Sequence, residues 1–202
     1  AGGAAASSAL LARLGFVETG SIGVFLETLK LMHAFGPLPG NAVCSVSCSG
    51  GEASLMADMA EGSAIEYRDF SAAQAKALKD ELGPIVTVAN PLDYHTFIWG
   101  DTERMTRVFS AVLADGFELT VFVLDLPRAD RCDPAGYQCA VDAIISAQAA
   151  TGARTAVLTS LPENLSERVS SAFLEAGILP LHGMEEGLLA IDAAIRAGGR
   201  AF

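Results

Sequence analysis

Basic side chains are scarce in this sequence: 13 Lys and Arg stand against 24 Asp and Glu, for a net charge of -11. Such a surface repels phosphate backbones at long range, which argues against nucleic acid or an anionic membrane as a partner. Long apolar runs are missing as well. Valine, isoleucine and leucine come in short groups broken by glycine or charge, far below the roughly 20 residues a membrane-spanning helix needs. Cysteine is sparse and unpatterned; Cys44, Cys48, Cys132 and Cys139 form no CxxC pair and have no His-rich segment beside them. They read as buried, reduced thiols of a cytoplasmic protein. No His, Cys and carboxylate cluster has ligand spacing, so no metal site is expected. A GxSxG elbow, a P-loop and a GxGxxG turn are all missing. No basic segment followed by an apolar core opens the chain, so no secretory leader is expected, and the start inside an Ala/Ser-rich helix reads as a cut.

What is present is a rhythm. At 202 residues the chain has room for one full α/β domain and a fragment of another. Residues 4–14 and 22–33 carry apolar residues at helical spacing, with Gly15 and Gly36 as terminators. Two prolines and two glycines within residues 36–40 then stop any helix or ladder, and residues 37–40 are expected to form a hinge or domain boundary. Beyond it, short β-rich runs alternate with amphipathic helices closed by Gly62, Gly83, Gly116, Gly152, Gly177 and Gly198. This alternation predicts a parallel sheet with strands at 42–47, 85–89, 119–125, 155–159 and 178–181, and a weak extra one at 65–67. Helix starts are readable in Ser71 with Gln74, in Asn164 with Glu167, in Asp101, and in Asp133 followed by Pro134.

Ligands of open parallel sheets bind beyond the carboxyl ends of the strands. Three loops there contain candidate groups. In the first, a strand runs into Ser49-Gly50-Gly51-Glu52 and a helix. Small residues let an anion approach free backbone N–H groups, although the same residues also make an ordinary tight turn with Ser49 as cap and Glu52 near the positive helix end. The second, residues 90–96, holds Asn90, Asp93, His95 and Thr96. Asn-Pro is a turn former and Asp93 can serve its own backbone, whereas the His95 imidazole can donate to a carboxylate or phosphate oxygen. In the third, Arg128 and Arg131 can fork an anion or simply be solvated. His33 and His182 stand alone, and packing or exposure is their expected role.

Together these segments resemble the acyl-CoA synthetases that release a nucleoside diphosphate and phosphate, the superfamily of succinyl-CoA synthetase and ADP-forming acetate–CoA ligase. Asn90-Pro91-Leu92-Asp93 is similar to that family's Asn-Pro-x-Asp or Asn-Phe-Leu-Asp motif, and Arg131-Cys132-Asp133 to a tripeptide following the next strand in succinyl-CoA synthetase β chains. The resemblance covers nearly the whole chain. It implies a flavodoxin-like three-layer sandwich over 41–198 with a five-stranded parallel sheet, and a tail at 199–202. Residues 1–36 would be the closing helices of a preceding domain whose phosphorylated histidine lies upstream of Ala1.

The implied reaction makes acyl-CoA from a carboxylic acid, CoA and a nucleoside triphosphate through an acyl phosphate and a phosphohistidine. No catalytic residue and no bound cofactor are then expected within this chain, which would be inactive alone. CoA, ATP or ADP and Mg would be held by CoA-binding and ATP-grasp domains in the same or another chain, as homo- or hetero-oligomers. Ser49, Gly50, Gly51, Glu52, Asn90, Asp93, His95 and Thr96 would line the phosphate or substrate site. This sequence departs from the family where Tyr94-His95-Thr96 replaces a glycine-rich run and Pro127-Arg128 replaces Gly-Gly, which implies a different acid. A non-catalytic domain that senses an acyl-CoA, fused to an acyltransferase, is the alternative.

Overall fold

The computed structural model describes residues 3–114 and 116–199. Of the expected tail, residues 200–202 lie outside the described residues. Five strands form one sheet: β1 (Val43–Ser47), β2 (Leu92–Asp93), β3 (Leu119–Val123), β4 (Thr155–Thr159) and β5 (Leu179–His182). Their order is β2-β1-β3-β4-β5, and every pairing is parallel. This is the order and direction of a flavodoxin-like sheet, as the resemblance implied.

Eight α-helices accompany the strands among the described residues: α1 (Ala4–Arg13), α2 (Ile22–Phe35), α3 (Gly50–Met59), α4 (Ala72–Leu82), α5 (Thr102–Leu113), α6 (Gln138–Thr151), α7 (Glu167–Glu175) and α8 (Met184–Gly198). Side chains alternate across a strand, so each strand feeds two cores. Cys44, Val46, Phe122 and Val157 pack with Leu78, Phe109, Ile144 and Phe173 of α4 to α7. Val43, Val121, Ala156 and Leu158 pack on the opposite face with Leu31 of α2, Met56 of α3 and Ile191 of α8. Three layers result, and β1, β3 and β4 are buried along their whole length, with Ser45, Ser47, Thr120, Thr155 and Thr159 buried among the apolar side chains.

Residues 37–40 contain a fully buried side chain, Leu38, whose N–H donates to Ala194 O at 3.1 Å. A Cβ added at Gly198 would stand 1.8 Å from Leu38 O. Gly198 is therefore the last residue of α8 and is required by a close backbone approach, not by a left-handed helix end. The left-handed role is played at Gly152, the C-cap of α6. Glu27 of α2 is buried, and its Oε2 accepts from Lys30 Nζ at 2.7 Å and from the backbone N–H of His182 at 3.2 Å. The helix is thereby tied to the end of β5. By contrast, α1 buries no residue.

The expected strand at 85–89 does not form. Ile85 is 73% exposed and only Val86 of that run is buried. Other groups complete the β1 edge there. Val43 N donates to Glu66 O at 3.0 Å and Glu66 N to Asn41 O at 2.9 Å, so the weak candidate at 65–67 survives as a single bridge, Ala42 with Glu66. Main-chain pairing on this edge resumes at Leu92–Asp93.

Candidate functional site

The shelf at the carboxyl end of β1, β2 and β3 gathers two of the three loops singled out in the sequence. Ser49 is the N-cap of α3, and its Oγ accepts from Glu52 N at 3.5 Å. Asp93 leans over this helix start: a Cβ added at Gly50 would lie 3.3 Å from Asp93 Oδ2. The same carboxylate accepts the His95 N–H through Oδ1 at 2.9 Å, with His95 Nε2 3.5 Å from Oδ2. Thr96 opens a short 3-10 turn to Ile98 and is exposed. Ser49, Gly50, Glu52, Asp93 and His95 are thus neighbours, although more than 40 residues separate the two groups in sequence.

Asn90 is placed differently. Its Oδ1 accepts from Ser45 N at 3.0 Å, while its Nδ2 donates to Val43 O at 2.8 Å and Arg68 O at 2.9 Å. The side chain stands in for a strand along the edge of β1, which occupies three of its four bonding positions. Its role is to hold the β2 segment that delivers Asp93. Asn90→Ala leaves Ser45 N and Val43 O without partners, so a loss of about 1–3 kcal/mol in stability is expected, measured by urea unfolding.

Glu52 is the electrostatic centre of the shelf. Burial, followed by the charges of Asp125 and Asp93, raises its carboxyl from 4.5 to about 7. Its Oε2 is buried and has no hydrogen-bond partner. A carboxyl poised near neutrality with an unsatisfied oxygen can hold a proton for donation to an incoming anion. Asp125 closes the expected strand at 119–125, and its Oδ1 accepts from Ser160 N at 2.8 Å and Asn164 Nδ2 at 2.9 Å, which fixes it just beyond β3. Asn164 therefore orients this aspartate, and the cap of α7 is Ser166, which accepts from Val169 N.

Two further groups border Glu52, Cys48 and Tyr94, neither of them among the expected site residues. Burial, and then the Glu52 charge, pushes the Cys48 thiol up, so it remains protonated and a poor nucleophile. Tyr94 is pushed up chiefly by burial and then by the neighbouring Cys48 and Glu52; its ring packs edge-to-face on Phe109 at 5.2 Å. Position alone could have found Asp125, because it closes a strand at the ligand end of the sheet.

The third loop does not present a free arginine fork. Arg128 clamps its own neighbour Asp130 through Nε at 3.0 Å and Nη2 at 2.8 Å, and Arg131 Nε lies 3.6 Å from the same carboxylate. Cys132 in this loop is exposed, Cys48 and Cys139 are half-buried, and Cys44 alone of the four is fully buried. All four are free, so the expectation of buried thiols holds only for Cys44. His33 is exposed, and His182 Nδ1 lies 3.2 Å from Pro162 O.

No protein-family model matches this sequence, and no curated protein matches it. Solved structures do match. Over 98% of the chain, the crystal structure of a Pyrococcus horikoshii OT3 protein aligns with a TM-score of 0.81 at 19% identity. Over the same share, the dinucleotide-forming acetyl-coenzyme A synthetase 1 of Ca. Korarchaeum cryptofilum in its apo form aligns with a TM-score of 0.76 at 16% identity. The fold is shared with an acetyl-coenzyme A synthetase. That synthetase in complex with phosphate and ADP aligns with a TM-score of 0.76 at 17% identity, again over 98% of the chain. This chain spans 45%, 42% and 41% of the three structures, less than half of each. At these identities the likeness to the synthetase is one of fold, and the shelf described above lies where such folds bind ligands.

Proposed function

We propose that this chain is the flavodoxin-like CoA-ligase segment of an acyl-CoA synthetase of the nucleoside-diphosphate-forming kind, and that its shelf is one wall of the acyl and phosphate site. The observation that carries this reading is the convergence of Ser49–Glu52 with Asp93–His95 at the carboxyl ends of β1 and β2. It gains weight from a fold shared with an acetyl-coenzyme A synthetase along 98% of the chain. The orphaned Oε2 of Glu52 suits a phosphoryl or acyl oxygen, to which a protonated carboxyl donates.

The reaction converts a carboxylic acid, CoA and a nucleoside triphosphate into acyl-CoA, nucleoside diphosphate and phosphate. In this reading a histidine of a preceding domain transfers the phosphoryl group, and this chain binds and orients it without turning over alone. CoA, nucleotide and Mg belong to other domains. Exposed apolar side chains on α1, at its C-cap and on α2, including Leu10, Leu14, Phe25 and Leu26, give a neighbouring domain a surface to cover. No helix among the described residues is long and apolar enough to cross a membrane.

The test is acyl-CoA formation from acid, CoA and ATP by the protein that carries this chain. Asp93→Asn keeps the shape but removes the charge that positions His95, and a roughly tenfold fall in kcat/KM is expected. An unchanged value would take Asp93 out of the site.

A further inference from the structure

His95 has φ 59° and ψ 166°. That combination is open to glycine and strained for any residue with a Cβ. Among the described residues it is the one non-glycine with positive φ. A histidine retained there is held by its surroundings against its own backbone preference. Asp93 supplies part of the hold, through the 2.9 Å bond to the His95 N–H and the 3.5 Å approach to Nε2. The other part is Phe97, whose ring stacks on the imidazole at 5.4 Å with an interplanar angle of 18°. Phe97 is itself 66% exposed, so it is not in place to fill the core.

Among the described residues the ring is also the one basic group in contact with the shelf. Among the described residues no Lys or Arg pairs with Glu52, Asp93 or Asp125, and both neighbouring charges acting on Glu52 are acidic. With Nε2 turned to Asp93, Nδ1 makes no hydrogen bond among the described residues. A proton carried on Nδ1 would be free for donation to an anionic oxygen.

From the strain, the stacking and the isolation of this basic ring, we infer that His95 is an anion-holding residue, with Asp93 and Phe97 as positioning residues that fix its ring. The ligand class is an oxyanion, either a phosphoryl group or the carboxylate of an acid whose apolar body lies on Phe97. This deepens the reading of the shelf as an acyl and phosphate site and rests on it.

The experiment compares the wild-type chain with His95→Gly and Phe97→Ala, by thermal unfolding and by NMR titration with inorganic phosphate and with butyrate at one fixed pH. His95→Gly relieves the backbone, so Tm should rise by about 2–4 °C while at least one anion binds tenfold or more weakly. Tighter binding of phosphate than of butyrate by the wild-type chain marks a phosphoryl ligand and the reverse a carboxylate; in either case Phe97→Ala, which frees the His95 ring, weakens the preferred anion several-fold. A His95→Gly chain that unfolds at a lower temperature would show the ring to be structural and overturn the inference. So would unchanged binding of both anions. A wild-type chain that takes up neither anion removes the inference together with the reading beneath it, whereas binding that ignores His95 removes the inference alone.

Discussion

Phe109→Ala should cost about 3–5 kcal/mol of folding free energy, the largest effect of any single truncation considered for this chain. Phe109 is fully buried on α5 and makes edge-to-face contacts with Tyr94 at 5.2 Å and Phe122 at 4.8 Å. It therefore joins a helix, the central strand β3 and the loop that carries His95. Removing the ring loses transfer free energy and leaves a cavity beneath a sheet that cannot collapse without shifting its neighbours. Tyr94, which lies beside Cys48 and Glu52, would lose its support as well. Urea unfolding should show a lower midpoint at similar slope. A cost under about 1 kcal/mol would mean that the core on this face is looser than its burial indicates.

Changes at Glu52 should have the largest effect on activity. With its carboxyl raised to about 7 by burial and by Asp125 and Asp93, the folded chain binds this proton more tightly than the unfolded chain, where the ordinary value is 4.5. The stabilising contribution of protonation is full below pH 4.5 and is lost as pH rises through about 7. Glu52→Gln should remove that slope from a plot of stability against pH. Catalysis should follow the same proton. If Glu52 donates to a phosphoryl or acyl oxygen, turnover declines as pH rises through 7. The Gln variant, whose amide still donates but cannot titrate, should be slower at pH 6 and flat from there to 8. Glu52→Ala, with no donor, should lose about 100- to 1000-fold in kcat.

Much of the architecture was legible because local chemistry and global fold agree. Ser71 and Gln74 form the capping box their spacing announced, with bonds of 3.3 and 3.1 Å, and Asp101 caps α5 through Arg104 N at 3.0 Å. The four central and outer strands β1, β3, β4 and β5 were placed within one or two residues of their observed bounds. The failure at 85–89 has a physical cause. The run Ile85-Val86-Thr87-Val88 has strand propensity, but the Asn90 amide already occupies the β1 edge that such a strand would need. No periodicity records that a side chain will replace a main-chain ladder.

At the site, Ser49–Glu52 and Asp93–His95 were visible as separate loops, and their positions after strands pointed to one end of the sheet. Their mutual contact was not visible, since it depends on β2 lying beside β1. Nor was the acidity of the shelf. The helix start read as open to an anion has Asp93 beside Gly50, so in the proposed site an incoming anion would need the Glu52 proton and the His95 ring as well as backbone N–H groups. Asn164 shows the same limit: three residues before Glu167 it resembled a cap, yet its amide serves Asp125 and Ser166 caps the helix.

The central claim is that Glu52 stands in the wall of an acyl and phosphate site. Its most direct test is steady-state acyl-CoA formation from a carboxylic acid, CoA and ATP by the protein carrying this chain, with wild-type Glu52 and with Glu52→Ala, checked for equal folding by circular dichroism. A loss of at least about 100-fold with an unchanged spectrum is expected. Equal turnover of the two proteins, or no acyl-CoA from either, would contradict it.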